Sequence, residues 1–134
     1  MKNKSALKSS ADDKMNISVQ LNSNNIIEID VPLSLTKIKK RHLVDLNKRI
    51  HELGEGKKLP AYITINGFVL LSRGAINYRT TSEYAKYRLA NAFLTDSFSK
   101  MVIYKFYKDF DYSKVPVNSF SSKHKAIQWL KTFG

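Results

Sequence analysis

The sequence predicts an α/β domain in which helices pack on a sheet. Three observations predict it. Residues 17–31 alternate apolar and polar around a polar turn, residues 35–53 carry one apolar stripe at helical spacing, and short apolar runs then alternate with capped helical segments to the C-terminus. The 134 residues suffice for one packed core and leave little room for a second. A hydrophobic fraction of 43% argues against wholesale disorder.

Residues 1–16 are Lys, Ser, Asn and Asp with almost nothing apolar, and are expected to form a disordered basic arm ahead of a single domain over residues 17–134. In the hairpin, Ile17, Val19 and Leu21 alternate with polar residues, residues 22–25 supply turn chemistry, and Ile27, Ile29 and Val31 alternate again before Pro32. A helix is then expected from a cap at Thr36 or Ser34 to Gly54, burying Leu35, Ile38, Leu43, Leu46, Ile50 and Leu53. Pro60 introduces a β-branched strand over residues 61–65, and residues 68–71 extend the sheet or pack over it. Residues 75–89 lean helical. Residues 89–95 read equally as the end of that helix or as a buried strand. Asp96 or Ser97 caps a helix through Phe110, residues 115–120 form a strand, and Ser121 or Ser122 caps a last helix holding Ala126, Ile127, Trp129, Leu130 and Phe133.

Charge is the most visible bulk property: 23 Lys+Arg against 11 Asp+Glu, a formal +12. Affinity for nucleic acid needs cations gathered on one surface, where they displace counterions together. Here they are spread along the chain, and only five of the 23 are arginine, the residue suited to bidentate contacts. The densest group, Lys37, Lys40, Arg41 and Lys48 within the predicted helix, is the candidate anion contact. The absence of cysteine excludes disulfides, thiolate metal sites and cysteine nucleophiles. No apolar run has the length of a membrane span, and the basic start lacks the apolar stretch of a secretory signal, so a cytoplasmic protein is expected.

Catalytic constellations are missing. His42 and His51 are nine residues apart and cannot share one helix face as paired ligands; with His124 they read as surface or boundary residues. Asp12-Asp13 falls in the arm, and Asp109-Phe110-Asp111 sits between lysines at a helix end. No glycine-rich phosphate loop or nucleophile elbow occurs. No catalytic residue, cofactor or metal is therefore expected, and the chain reads as a non-enzyme. One segment stands out instead. Phe98, Met101, Val102, Tyr104, Phe106, Tyr107 and Phe110, with Ile103, cover more than one stripe of a helix. Such a helix is buried on two faces by its own domain or meets another chain, with Lys100, Lys105 and Lys108 as a polar rim.

Several stretches between residues 25 and 133 resemble the bacterial SpoIIAA-like (STAS-like) families, in particular a small uncharacterised group of that type. They are Ile26-Ile27-Glu28-Ile29, the helix opening at Leu35-Thr36, Gly56-Lys57-Lys58-Leu59-Pro60 ahead of Ile63, and the closing segment with Ala126-Ile127-Gln128-Trp129-Leu130. The resemblance implies a mixed sheet of four to five strands flanked by helices, with residues 89–95 a strand. It also implies a regulatory interaction module without catalysis, in which a hydroxyl at the start of a helix following a strand is phosphorylated. The nearest position is Ser72. The regulatory pattern has Asp before the hydroxyl residue and Gly after it, where this chain has Leu71 and Arg73, so helix capping is the first role expected of Ser72.

The sequence thus points to a non-catalytic interaction module that meets a protein partner or a second copy through the aromatic segment. Its alternative is an anion or nucleic-acid binder using the basic face of residues 37–49 and the arm. A small apolar or lipid-like ligand beneath the aromatic segment is the least favoured reading.

Overall fold

The computed structural model describes residues 17–108 and 114–134. The expected basic arm, residues 1–16, lies outside the described residues. The predicted hairpin is present as β1 (Ser18–Leu21) antiparallel to β2 (Ile27–Val31). Asn22 Oδ1 accepts from the backbone N–H groups of Asn24 (2.8 Å) and Ile26 (3.1 Å), and Asn25 takes φ 59°, a conformation Asn tolerates. The chain continues through β3 (Lys37–Ile38), α1 (Lys40–Leu53), β4 (Leu59–Ile65), β5 (Leu70–Leu71), α2 (Arg73–Tyr78), α3 (Ser82–Ala85), β6 (Arg88–Leu94), α4 (Phe98–Lys108), β7 (Val117–Phe120), α5 (Lys123–Leu130) and a closing 3-10 turn (Lys131–Phe133).

Five strands form one sheet in the order β1-β2-β4-β6-β7, parallel except at β1. This is the mixed, helix-flanked sheet that the resemblance implies. From β2 the order steps one way across the sheet, so right-handed crossovers put their helices on one face. There α1 seals the larger core, with Ile27, Ile29, Leu46, Ile50 and Ile63 buried. On the other face α5 covers a smaller core of Ile26, Tyr62, Ala90, Ala92, Ala126 and Leu130, with Trp129 packed between Phe120 and Phe133.

Two expected helices are redrawn by pairing and capping. The first starts at Lys40, not after Thr36 or Ser34, because residues 37–38 are extended and pair with β5. Leu70 N–H donates to the Thr36 carbonyl and Ser72 N–H to that of Ile38, both at 2.9 Å. Ile38 is buried from this strand rather than from the helix stripe. The helix expected over residues 75–89 is two short ones, interrupted where Thr81 Oγ1 accepts from Tyr84 N–H at 3.2 Å and caps α3. The ambiguous 89–95 segment is a strand, β6, as the resemblance implies.

A register shift in β6 decides which side of the sheet its polar residues face. Leu59 lies opposite Arg88 and Pro60 opposite Ala90, so Leu89 is an extra residue, a bulge. Pro60 has no N–H to offer a central ladder, and a bulge is where a sheet interior tolerates that. The extra residue also resets the alternation. Ala90 and Ala92 face α5, whereas Arg88 and Asn91 point into the α1 layer.

His42, expected at the surface or boundary, is buried in the first turn of α1, where its Nδ1 accepts the Lys39 N–H at 2.8 Å. Burial, aided by the charges of Arg41 and Lys39, holds its pKa below the ordinary 6.5. The unfolded chain therefore takes up a proton first, so this contribution to stability is complete above pH 6.5 and is lost as pH falls through the lowered folded value. Urea midpoints followed from neutral to mildly acidic pH should drop for the wild type and much less for His42→Gln, which keeps an acceptor at that position. Parallel curves for the two proteins would contradict this.

Candidate interaction surface

The aromatic segment folds as α4, its first turn capped by Ser97, whose Oγ accepts from Lys100 N–H at 3.2 Å. Its two faces differ. Inward, Ile103 is buried, Tyr104 packs against Phe93 with ring centroids 5.6 Å apart, and Tyr107 is a clamp. The Tyr107 hydroxyl donates to the Val69 carbonyl at 2.9 Å and accepts from Leu71 N–H at 3.0 Å, tying the helix to β5. Outward, Phe98 is 80% exposed, Phe106 51%, Val102 46% and Met101 41%. Spaced by three and four, these four form one apolar stripe facing away from the sheet. Of the expected contact residues, Phe98, Met101, Val102 and Phe106 are thus brought together, Tyr104 and Tyr107 are turned to the domain's own packing, and Phe110 lies outside the described residues. Lys105 and Lys108 are exposed beside the stripe. Lys100 is half-buried and paired with Asp96 at 3.0 Å, so it is not part of that rim.

The basic group is brought together in part. Lys40, Arg41 and Lys48 line one shallow, open hollow on α1 together with Lys39, Val44 and Asp45. Lys37 stands on β3, outside that lining. Asp45 is drawn towards Arg49, with Nε 3.2 Å from its carboxylate, which leaves the hollow's cations in excess. Ser72 caps α2, its Oγ accepting from Ala75 N–H at 3.1 Å, the first role expected of it.

A polar cluster that sequence reasoning missed lies between α1 and the sheet. Arg88 is 3% exposed, its Nε donating to Asn47 Oδ1 (3.3 Å) and its Nη1 to Asn91 Oδ1 (3.0 Å), with the guanidinium carbon 4.5 Å from the Tyr84 ring centroid. Asn47 Nδ2 donates in turn to the Tyr84 and Glu83 carbonyls at 3.2 and 3.3 Å, and Asn91 Nδ2 to the Tyr84 hydroxyl at 3.3 Å. The only signal in the sequence is an Arg and an Asn inside the otherwise apolar run of β6. Among the described residues no group of three or more His, Cys, Asp or Glu could hold a metal ion, and no helix is long and apolar enough to cross a membrane. His51 lies against the Tyr87 ring and His124 is exposed on α5.

Comparison with known proteins agrees with this architecture. No curated protein matches the chain. Among solved structures, it is similar to an uncharacterised protein of the DUF3478 family with a SpoIIAA-like fold from Shewanella loihica PV-4. The TM-score is 0.55 at 16% identity, over 85% of this chain and 91% of that one. The likeness shows the fold: a SpoIIAA-like α/β domain. A family model described as a domain of unknown function (DUF7793) matches residues 21–134, from the end of β1 through the last turn, and the chain belongs to that family.

Proposed function

We propose that the chain is a non-catalytic interaction module, one domain over residues 17–134, that docks a protein partner on the outer face of α4. The observation that carries this reading is the outer face of α4, where Phe98, Met101 and Val102 stand exposed in line with Phe106, itself half exposed beside the Tyr107 ring. Phe and Met are favoured anchors at interface cores. Lys105 and Lys108 beside the stripe, and a net charge of +12, favour a partner with an acidic rim over a second copy, which would bring like charges together. A photo-crosslinker at Val102, used in nuclease-treated native lysate, tests it. One protein adduct should persist at high salt. It should weaken about tenfold or more in Phe98→Ser/Met101→Ser, whose folding stability should stay within about 0.5 kcal/mol of wild type because both side chains are exposed. An adduct indifferent to that double substitution would refute the reading, and an adduct with the chain itself would replace the acidic partner by self-association.

A second reading rests on the hollow lined by Lys39, Lys40, Arg41 and Lys48, which fits a polyanion such as nucleic acid. Its mark is a binding constant that falls steeply with salt and less steeply in Lys40→Gln/Lys48→Gln. A flat salt dependence removes it.

A further inference from the structure

The α1 side of the sheet holds a partly open cavity of about 100 Å3, walled by core side chains such as Leu46, Ile63 and Val69, and lined also by Arg79 and Arg88. A buried cation needs a counter-ion or full hydrogen bonding. Arg88 has neither. Asn47 and Asn91 engage two of its five N–H donors. Arg49 pairs with Asp45, Lys100 with Asp96 and Lys123 with Glu28, and among the described residues no carboxylate pairs with Arg88. The Tyr84 ring face lies against the guanidinium and offers no lone pair for the remaining donors. The site therefore combines an apolar chamber with two guanidiniums in its wall, half-buried Arg79 and buried Arg88, and Arg88 keeps donors that Asn47 and Asn91 do not engage.

We propose that this cavity binds a small organic acid, a short-chain monocarboxylate whose apolar body fills the chamber and whose carboxylate is taken by Arg88. A carboxylate matches the planar fork of a guanidinium and supplies the missing charge. An inorganic anion would leave the apolar walls unfilled. Size limits the ligand: a cavity of about 150 Å3 takes the six carbons of benzene, so one of about 100 Å3 scales to a body of about four carbons. A smaller space of about 40 Å3 under α4 shares Ile65, Arg79, Phe93 and Tyr107 with the chamber, and these half-buried residues mark the side from which a ligand enters. In the sequence Arg88 is one of the dispersed cations, and the least favoured reading there, a small apolar ligand, is placed beneath the aromatic segment and not beside Arg88. The bulge at Leu89 is what turns it inward.

The test titrates the methyl-labelled wild-type chain with butyrate and isovalerate and with their neutral counterparts, butanol and butyramide. Saturable shifts of the Leu46, Ile63 and Val69 methyls are expected with the acids, at an affinity about tenfold or more above the alcohol and the amide, the margin a charged group holds over a neutral one against unpaired donors. Arg88→Met, a volume-conserving apolar replacement, should erase that preference, its own methyl spectrum reporting whether it is folded. Three results overturn the proposal: no acid saturates these methyls at millimolar concentration, acid and alcohol bind alike, or the preference survives in folded Arg88→Met. The acid-against-alcohol comparison uses the unaltered chain, so it decides even where the variant does not fold. It also leaves the docking face of α4 untouched.

Discussion

Asn47→Ala is expected to be among the most destabilising single substitutions in the chain, at about 3–5 kcal/mol, although the side chain removed is small and polar. Asn47 is 3% exposed and joins three elements: its Oδ1 accepts from Arg88 Nε, and its Nδ2 donates to two backbone carbonyls of α3. Truncation leaves the guanidinium with a single hydrogen bond, to Asn91, and leaves the Tyr84 and Glu83 carbonyls without this donor. The dominant cost is a buried charge deprived of a partner, which exceeds the net value of any one hydrogen bond. Replacing both partners by apolar residues avoids that cost. Urea unfolding should therefore show Asn47→Leu/Arg88→Met recovering most of the stability lost in Asn47→Ala. A double variant as unstable as the sum of its single changes would show that the pair acts only as packing.

The second large effect is expected at Leu130→Ala, about 2–5 kcal/mol, from the smaller core under α5. Leu130 is fully buried, and its neighbours in that core, Ala90, Ala92 and Ala126, have no side-chain length with which to collapse into the space. The spread of costs for such truncations follows how well a site relaxes, and the three alanines that share this core with Ile26 and Tyr62 cannot move in to fill the space. At eight residues α5 is also too short to persist without its docking face. Thermal unfolding should register the loss, and amide exchange should locate it in α5 and β7 more than in α1. A loss spread evenly over the chain would contradict the separation into two cores.

These two positions also mark how far the sequence could be read. Leu130 was legible, because Ala126, Ile127 and Leu130 recur at helical spacing behind a serine cap. The hairpin, β4, β7 and most of α1 were legible for the same reason: their apolar patterns are local and undisturbed. What was lost was non-local. Residues 37–38 carry no strand signal of their own, and only their pairing with Leu70 and Leu71 draws them out of the helix that Thr36 and Ser34 advertise. Asn47, between Leu46 and Lys48, carries no signal of burial in the sequence. Its burial depends on Arg88, whose direction depends on one unpaired residue in β6. The docking face was half legible. Aromatic crowding identified α4, but only the position of the sheet decides that Tyr107 bonds inward while Phe98, at 80% exposure, stands in water.

The bulge at Leu89 ties the length of β6 to the side its arginine faces. A strand counts in twos, so one supernumerary residue acts as a parity switch. With it, the Arg at the head of β6 belongs to the layer that contains the chamber; without it, the same Arg would be driven into the alanine-lined layer under α5, where there is neither space nor an acceptor of the Asn47 kind. Residue identity at 88 and chain length at 89 are therefore coupled in this chain. Removing one residue from this strand would therefore take the arginine out of the chamber wall.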